Sequence, residues 1–352
     1  MKNPRQKAVL FCVVLWLSMF VCGCGKLTED TKVILTIGFE EDEIFRIETM
    51  SCHLAEVMIY LTNIQNQYES VYGREIWEKD LGGTSLEESV KETVIAQIAQ
   101  IKTMNLLAAR HGVALDESEQ RLAEQAAKEY FSSLTETEIQ AMGVSEEVIY
   151  QLYCEYALAH KVYEYIIKDI NPEISDDEAR TITVQHILIK TYALDGTGKK
   201  IEYSESSKAD AREEAEMILE LARQEDSDFE ELVMEYSEGD IGNFSFGKGE
   251  TEASFEETAF NLETGEISNI VETEYGYHII KCINTFNREE TDANKIKIVE
   301  KKREEVFGQE YDAFVNTLTR NLNEELWETV SLIKNEEVTT HTFFEIFNQY
   351  FS

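Results

Sequence analysis

The sequence predicts an α+β protein: a compact mixed domain of about 100 residues, a normal domain size, inserted into a mostly α-helical domain built from N- and C-terminal segments. Three observations predict it. The chain is rich in acid and poor in helix breakers, with 69 Asp and Glu, 17 Gly and only Pro4 and Pro172 in 352 residues, so most of it favours helix. Its pattern changes at Thr181, where strand, helix and Gly-turn signals follow one another to Ile283. Helical periodicity then returns near Asn294 and ends in an apolar tail. Such a tail must dock on a partner surface, because alone it cannot offset its ordering entropy. The N-terminal helices offer that surface.

The chain opens on a targeting segment. Lys2, Arg5 and Lys7 precede an apolar run from Ala8 to Cys22. The run is shorter than the roughly 20 residues of a comfortable membrane span and has the layout of a signal peptide. It ends in Val21-Cys22-Gly23-Cys24-Gly25, which resembles a bacterial lipobox. Cys24 is the expected lipidation site, since Gly23 suits the position before cleavage and Cys22 does not. Residues 1–23 are then a lipoprotein signal peptide, and the mature chain is held on the extracytoplasmic face of a Gram-positive-type cell membrane by its lipid. Cys52, Cys154 and Cys282 are odd in number and far apart. They make neither a disulfide framework nor a metal-ligand spacing, and each is expected as a small buried apolar residue. The net charge of −37 repels nucleic-acid phosphates and anionic head groups. It attracts basic, unfolded or newly exported polypeptides.

The helical segment, expected over 24–180, starts with a short strand at Lys32–Phe39. Apolar positions at helical spacing follow over 42–72, from Ile44 and Met50 to Leu61. Thr84 with Glu87 fits a capping box for a helix that ends at the C-cap signal Gly112. Asp116 with Glu119 opens a helix to about Leu134, and Ser145 opens one to about Ile170. Pro172 breaks the run, and Ser175 with Glu178 suggests a short helical turn.

The mixed domain is expected over 181–285. Ile182–Lys190 alternates like a strand, and Asp195-Gly196 with Gly198 marks a turn. Lys208–Gln224 and Asp228–Tyr236 are amphipathic helices. A Gly-rich run, Gly239 to Gly249, leads to a short helix at Ser254–Phe260, and Tyr277–Ile283 is a closing strand. The C-terminal segment, 286–352, is helical to Leu322. It then alternates over Leu326–Ile333 and ends on Phe343, Phe344, Phe347, Tyr350 and Phe351.

Three stretches of the mixed domain resemble the parvulin family: Val184-Gln185-His186-Ile187-Leu188-Ile189-Lys190, then Phe255 to Ser268 with Phe260, Leu262 and Gly265, then Val271 to Lys281 with Thr273, Tyr275, Gly276, Tyr277 and His278. With the lipobox and the helical flanks, the whole chain resembles the PrsA-type foldase lipoproteins, which the SurA-type chaperones also resemble in plan. The resemblance implies a peptidyl-prolyl cis-trans isomerase with chaperone activity, with no cofactor and no metal. It implies that His186 and His278 face each other from neighbouring strands, that Thr273 joins their hydrogen-bond network, and that Phe255 floors the proline pocket. Ile241 is the expected second apolar wall, and Tyr275 is expected at the substrate.

Two departures accompany the resemblance. The loop after the second helix is cut to Tyr236–Phe244, and the family's acidic position falls on Gly239. Asp240, one residue further on, is the candidate acid, with Glu238, one residue before, as the alternative. Thr251 stands where the family has a pocket Met, which makes the slot more polar. The alternative to an isomerase is therefore a holdase whose parvulin block is a degenerate binding module.

Overall fold

The computed structural model describes residues 38–79 and 83–351. The signal peptide, Cys24 and most of the strand expected at Lys32–Phe39 lie outside the described residues. Two compact units are present, Met1–Lys168 with Phe307–Ser352 and Asp169–Val306. The α+β class is borne out, with the mixed domain between two helical segments.

The first unit opens with an antiparallel hairpin of β1 (Glu43–Ile47) and β2 (Met50–His53), turned at Glu48, whose φ of 49° is left-handed. Ile44 and Met50 thus lie on strands and not in the expected helix. Over so few residues, periods of 2 and 3.6 coincide. α1 (Leu54–Tyr72), α2 (Leu86–His111), α3 (Glu117–Ser133), α4 (Glu136–Met142) and α5 (Glu146–Ile167) follow. Ser85, one residue after the expected Thr84, caps α2 by accepting from the Glu88 N–H, and Gly112 ends it in the left-handed region. Asp116 with Glu119 forms the expected capping box, and Ser145 caps α5. α4 was not expected; its own box, Thr135 with Glu138, supports it.

The helices bury a lysine. The Lys102 ammonium lies 2.7 Å from Glu56 and 2.9 Å from Glu155. Burial alone would lower its pKa, but the two carboxylates more than offset this and push it up to about 12.

The second unit is built on a four-stranded antiparallel sheet. Its chain order is β3 (Thr181–Lys190), a separate hairpin of β4 (Tyr192–Leu194) and β5 (Lys200–Glu202), α6 (Glu205–Ala222), α7 (Phe229–Tyr236), β6 (Phe244–Gly247), α8 (Ala253–Asn261), β7 (Val271–Thr273) and β8 (Gly276–Asn284). The strands lie in the order β6–β3–β8–β7. Side chains alternate across the sheet. Ile187, Ile189 and Ile279 pack on Ala215, Ile218 and Phe229 of α6 and α7. Ile182, Val184, Ile280 and Cys282 point the other way, onto Phe255 and Ala259 of α8. α9 (Arg288–Val315) starts in this unit, where Arg288 and Lys295 pair with Asp176 and Lys302 pairs with Glu178.

α9 ends in the first unit, which the chain completes with β9 (Arg320–Leu322), α10 (Glu324–Thr329) and α11 (Phe343–Phe351). β9 corrects the helix expected to Leu322, and α10 corrects the alternating stretch from Leu326. β9 pairs with the free edge of β1. Phe343 is 1% exposed and stacks on Tyr153 at 4.6 Å. Cys52 and Cys282 are buried, Cys154 is half-buried, and all three are free.

Candidate functional site

The register of the central strands builds the site. β3 and β8 pair Leu188 with His278 and His186 with Ile280. Alternation puts all four on the face that α8 covers. The two histidine rings meet diagonally, with centroids 5.2 Å apart. Phe255 of α8 is 4% exposed and stands edge-on to both rings, 5.2 Å from each. β8 can come this close to β3 only because it starts with Gly276. A Cβ there would lie 2.1 Å from the Ile189 carbonyl oxygen, at a φ of 136°.

The turn before β8 supplies the polar contact. Thr273 Oγ1 shares a 2.9 Å hydrogen bond with His278 Nε2 and accepts the Tyr275 N–H at 3.1 Å. Burial, and then the neighbouring His186, hold His278 down to about 3, so it is neutral at physiological pH. Burial also lowers His186, and the Asp240 carboxylate partly opposes that. The Nδ1 atoms of both histidines and Oγ1 of half-buried Thr251 are buried without a hydrogen-bond partner among the described residues. The arrangement is an apolar floor under neutral polar groups that still have hydrogen-bonding capacity. It suits the binding of a polar planar group more than the transfer of a proton.

His186, His278, Thr273 and Phe255 thus come together. Asp240 is exposed on the loop beside them. Ile241 is 65% exposed, where a second wall was expected, and Gly242 beside it has a left-handed φ of 123°. Gly239, where the resemblance led to an expected acid, packs on Leu188, so a Cβ there would come within 3.3 Å of that side chain. The shortened loop therefore has little room for an acid at Gly239. Tyr275 is 46% exposed and faces Lys200, whose ammonium lies 4.9 Å from the Tyr192 ring and 5.3 Å from the Tyr275 ring. Sequence reasoning missed Lys200, Tyr192 and the aromatic pair Phe244–Phe246. For the pair there was a signal, since Phe-Ser-Phe alternates as a strand does.

Among the described residues, Glu40, Asp42 and His53 could hold a metal ion, with one ligand atom from each within 4.8 Å. They lie in the other unit. No described helix is long and apolar enough to cross a membrane.

Comparison with known proteins bears on this geometry. Residues 186–284 match the rotamase family, described as a PPIC-type PPIASE domain. Over 88% of its length the chain is 25% identical to the foldase protein PrsA of Caldanaerobacter subterraneus subsp. tengcongensis, covering 94% of that protein. It is 34% identical to the putative peptidyl-prolyl cis-trans isomerase dodo of Drosophila melanogaster, over 27% of this chain and 61% of that one. Among solved structures, the peptidylprolyl isomerase PrsA of Bacillus cereus aligns with 76% of this chain and 97% of its own, at 18% identity and a TM-score of 0.36.

Proposed function

We propose that this chain, whose middle domain is a parvulin-type peptidyl-prolyl cis-trans isomerase and whose length aligns with PrsA foldases, is an extracytoplasmic foldase for exported polypeptides. The observation that carries the reading is the triangle of Phe255, His186 and His278, with Thr273 on His278. Rotating an X–Pro bond has a barrier of about 18–20 kcal/mol, because the amide loses its conjugation midway. No covalent bond need break, so the site must bind the twisted amide better than either planar form. A twisted amide has less charge separation, and an apolar site that excludes water favours it. Phe255 takes the proline ring, and the neutral histidines supply hydrogen bonds without a fixed charge. Thr273 orients His278.

The helical unit acts as the chaperone for unfolded client chains. Cys24 carries a lipid that holds the protein on the outer face of the membrane, and nucleic acid is not a partner. Replacing Cys24→Ala should abolish labelling by a fatty acid, whereas Cys22→Ala should not. Persistent labelling of the Cys24 variant would move the anchor elsewhere.

The purified chain should speed cis-trans exchange of a short X–Pro peptide, and Phe255→Ala should slow it. The second reading is a non-catalytic holdase. Gly239 in the acid position, Thr251 in place of a Met and the exposed Ile241 favour it. Suppressed aggregation of an unfolded client with no peptide turnover would select the holdase.

A further inference from the structure

We propose that Glu252 and Ser254, at the start of α8, are positioning residues of the isomerase: they hold the peptide groups on either side of Thr273, and so fix the hydroxyl that meets His278. This rests on the isomerase reading and goes one step deeper, to what keeps its histidine network in place.

Glu252 stands at the N-cap of α8, where a side-chain oxygen ordinarily accepts an N–H of the helix's own first turn. It makes no such bond. Both of its carboxylate oxygens instead accept the Glu274 N–H, at 3.3 Å each. The Ser254 hydroxyl, from the first turn of the helix, donates to the Glu272 carbonyl at 3.0 Å. Thr273 lies between the two residues so held. The start of α8 therefore grips the turn before β8 once ahead of Thr273 and once behind it. The hairpin side closes the grip: the Lys200 ammonium donates to the Glu274 carbonyl, and the Thr191 N–H donates to the Tyr275 carbonyl at 3.3 Å.

These bonds matter because the turn has little packing of its own. Glu272, Glu274 and Tyr275 are all exposed, so hydrogen bonds set where Thr273 stands. Its Oγ1 meets His278 Nε2 at 2.9 Å, a contact that a small shift of the turn would lengthen. Polar groups favour a transition state only when they are already in place as it forms. Phe255, the residue after Ser254, stands edge-on to the same imidazole. The first turn of α8 thus sets both the ring beside His278 and, through Glu252 and Ser254, the hydroxyl on its Nε2.

The test uses the full chain, an X–Pro peptide and matched folded fractions. Glu252→Ala and Ser254→Ala should each lower kcat roughly fivefold, the worth of one ordinary hydrogen bond, with KM little changed. Glu252→Gln keeps an acceptor and Ser254→Thr keeps a donor, so both should retain most of the turnover. In a Thr273→Val background, Glu252→Ala should cost nothing further, because the hydroxyl it serves is gone. A merely structural clamp would lower the urea midpoint, leave kcat of the folded protein unchanged, or add its loss in full to that of Thr273→Val. Either kinetic result overturns the proposal. The imidazole nitrogen resonances of His278, read by NMR, need no turnover. They should move in Glu252→Ala as they do in Thr273→Val, and stay in place in Glu252→Gln. Unmoved resonances in Glu252→Ala would sink the proposal. If no peptide turns over, the isomerase reading fails separately, and the resonances still decide whether Glu252 positions Thr273.

Discussion

His278 is 5% exposed, and burial, followed by the neighbouring His186, lowers its pKa from an ordinary 6.5 to about 3. Below pH 6.5 the unfolded chain takes up a proton that the folded chain refuses until about pH 3. The middle domain should therefore lose stability as pH falls through that window, by up to about 1.4 kcal/mol for each pH unit. His186 is lowered too and acts in the same direction. Urea melts at pH 7, 6 and 5 should show falling midpoints, with a shallower fall in His278→Gln. A wild-type midpoint that does not move would mean that the His278 ring is hydrated. Phe255→Ala tests the other side of the pocket. Loss of a buried Phe costs about 3–5 kcal/mol, so turnover must be compared at matched folded fraction. It should still drop, since the substrate ring loses its floor. A folded variant with unchanged turnover would remove Phe255 from the site.

The strands show how far the sequence could be read. β3 and β8 carry long apolar alternation, and the motifs on them that resemble the parvulin family are enough to pair His186 with His278. β1, β2 and β9 span 5, 4 and 3 residues, too short for a period to declare itself. What holds the tail was also hidden, because polar residues at buried positions have no hydrophobic period. Asn63 accepts the Phe343 N–H at 3.1 Å, Gln65 both donates to and accepts from Ile333, and Asn66 donates to the Thr340 carbonyl at 2.8 Å. α1 thus reads the backbone of the tail with three amides, while Tyr153 donates to the Phe343 carbonyl. The ring of Phe343 fills the space among Tyr60, Tyr130 and Tyr153. Phe343→Ala should lower the stability of the helical unit by about 3–5 kcal/mol and leave peptide isomerisation unchanged. Thermal melting with a parallel turnover assay checks both, and a loss of turnover at full folding would tie the tail to the pocket.

An insertion has consequences that neither unit shows alone. The first unit draws residues from both segments that flank the middle domain: β9 is one of the three strands in its described sheet, and α11 closes its aromatic core. The two exits to the middle domain lie close together, since the Tyr163 and Phe307 rings are 4.9 Å apart. Excising Asp169–Val306 and joining the ends with a short Gly-Ser linker should therefore leave a folded helical unit, because closing a short loop costs little entropy. The excised segment should fold on its own sheet. A chain that stops at residue 290 should behave in the opposite way. It keeps the whole β6–β3–β8–β7 sheet but loses β9 and α11, leaving β1 with a free edge and Tyr60, Tyr130 and Tyr153 without Phe343. Exposed strand edges and apolar clefts aggregate, so this fragment should scatter light on warming while peptide turnover persists at low temperature. Circular dichroism melting and light scattering on the three chains distinguish the cases. If the fragment ending at 290 melted cooperatively and stayed soluble, the C-terminal segment would not belong to the N-terminal core, and the inserted-domain architecture would have to be abandoned.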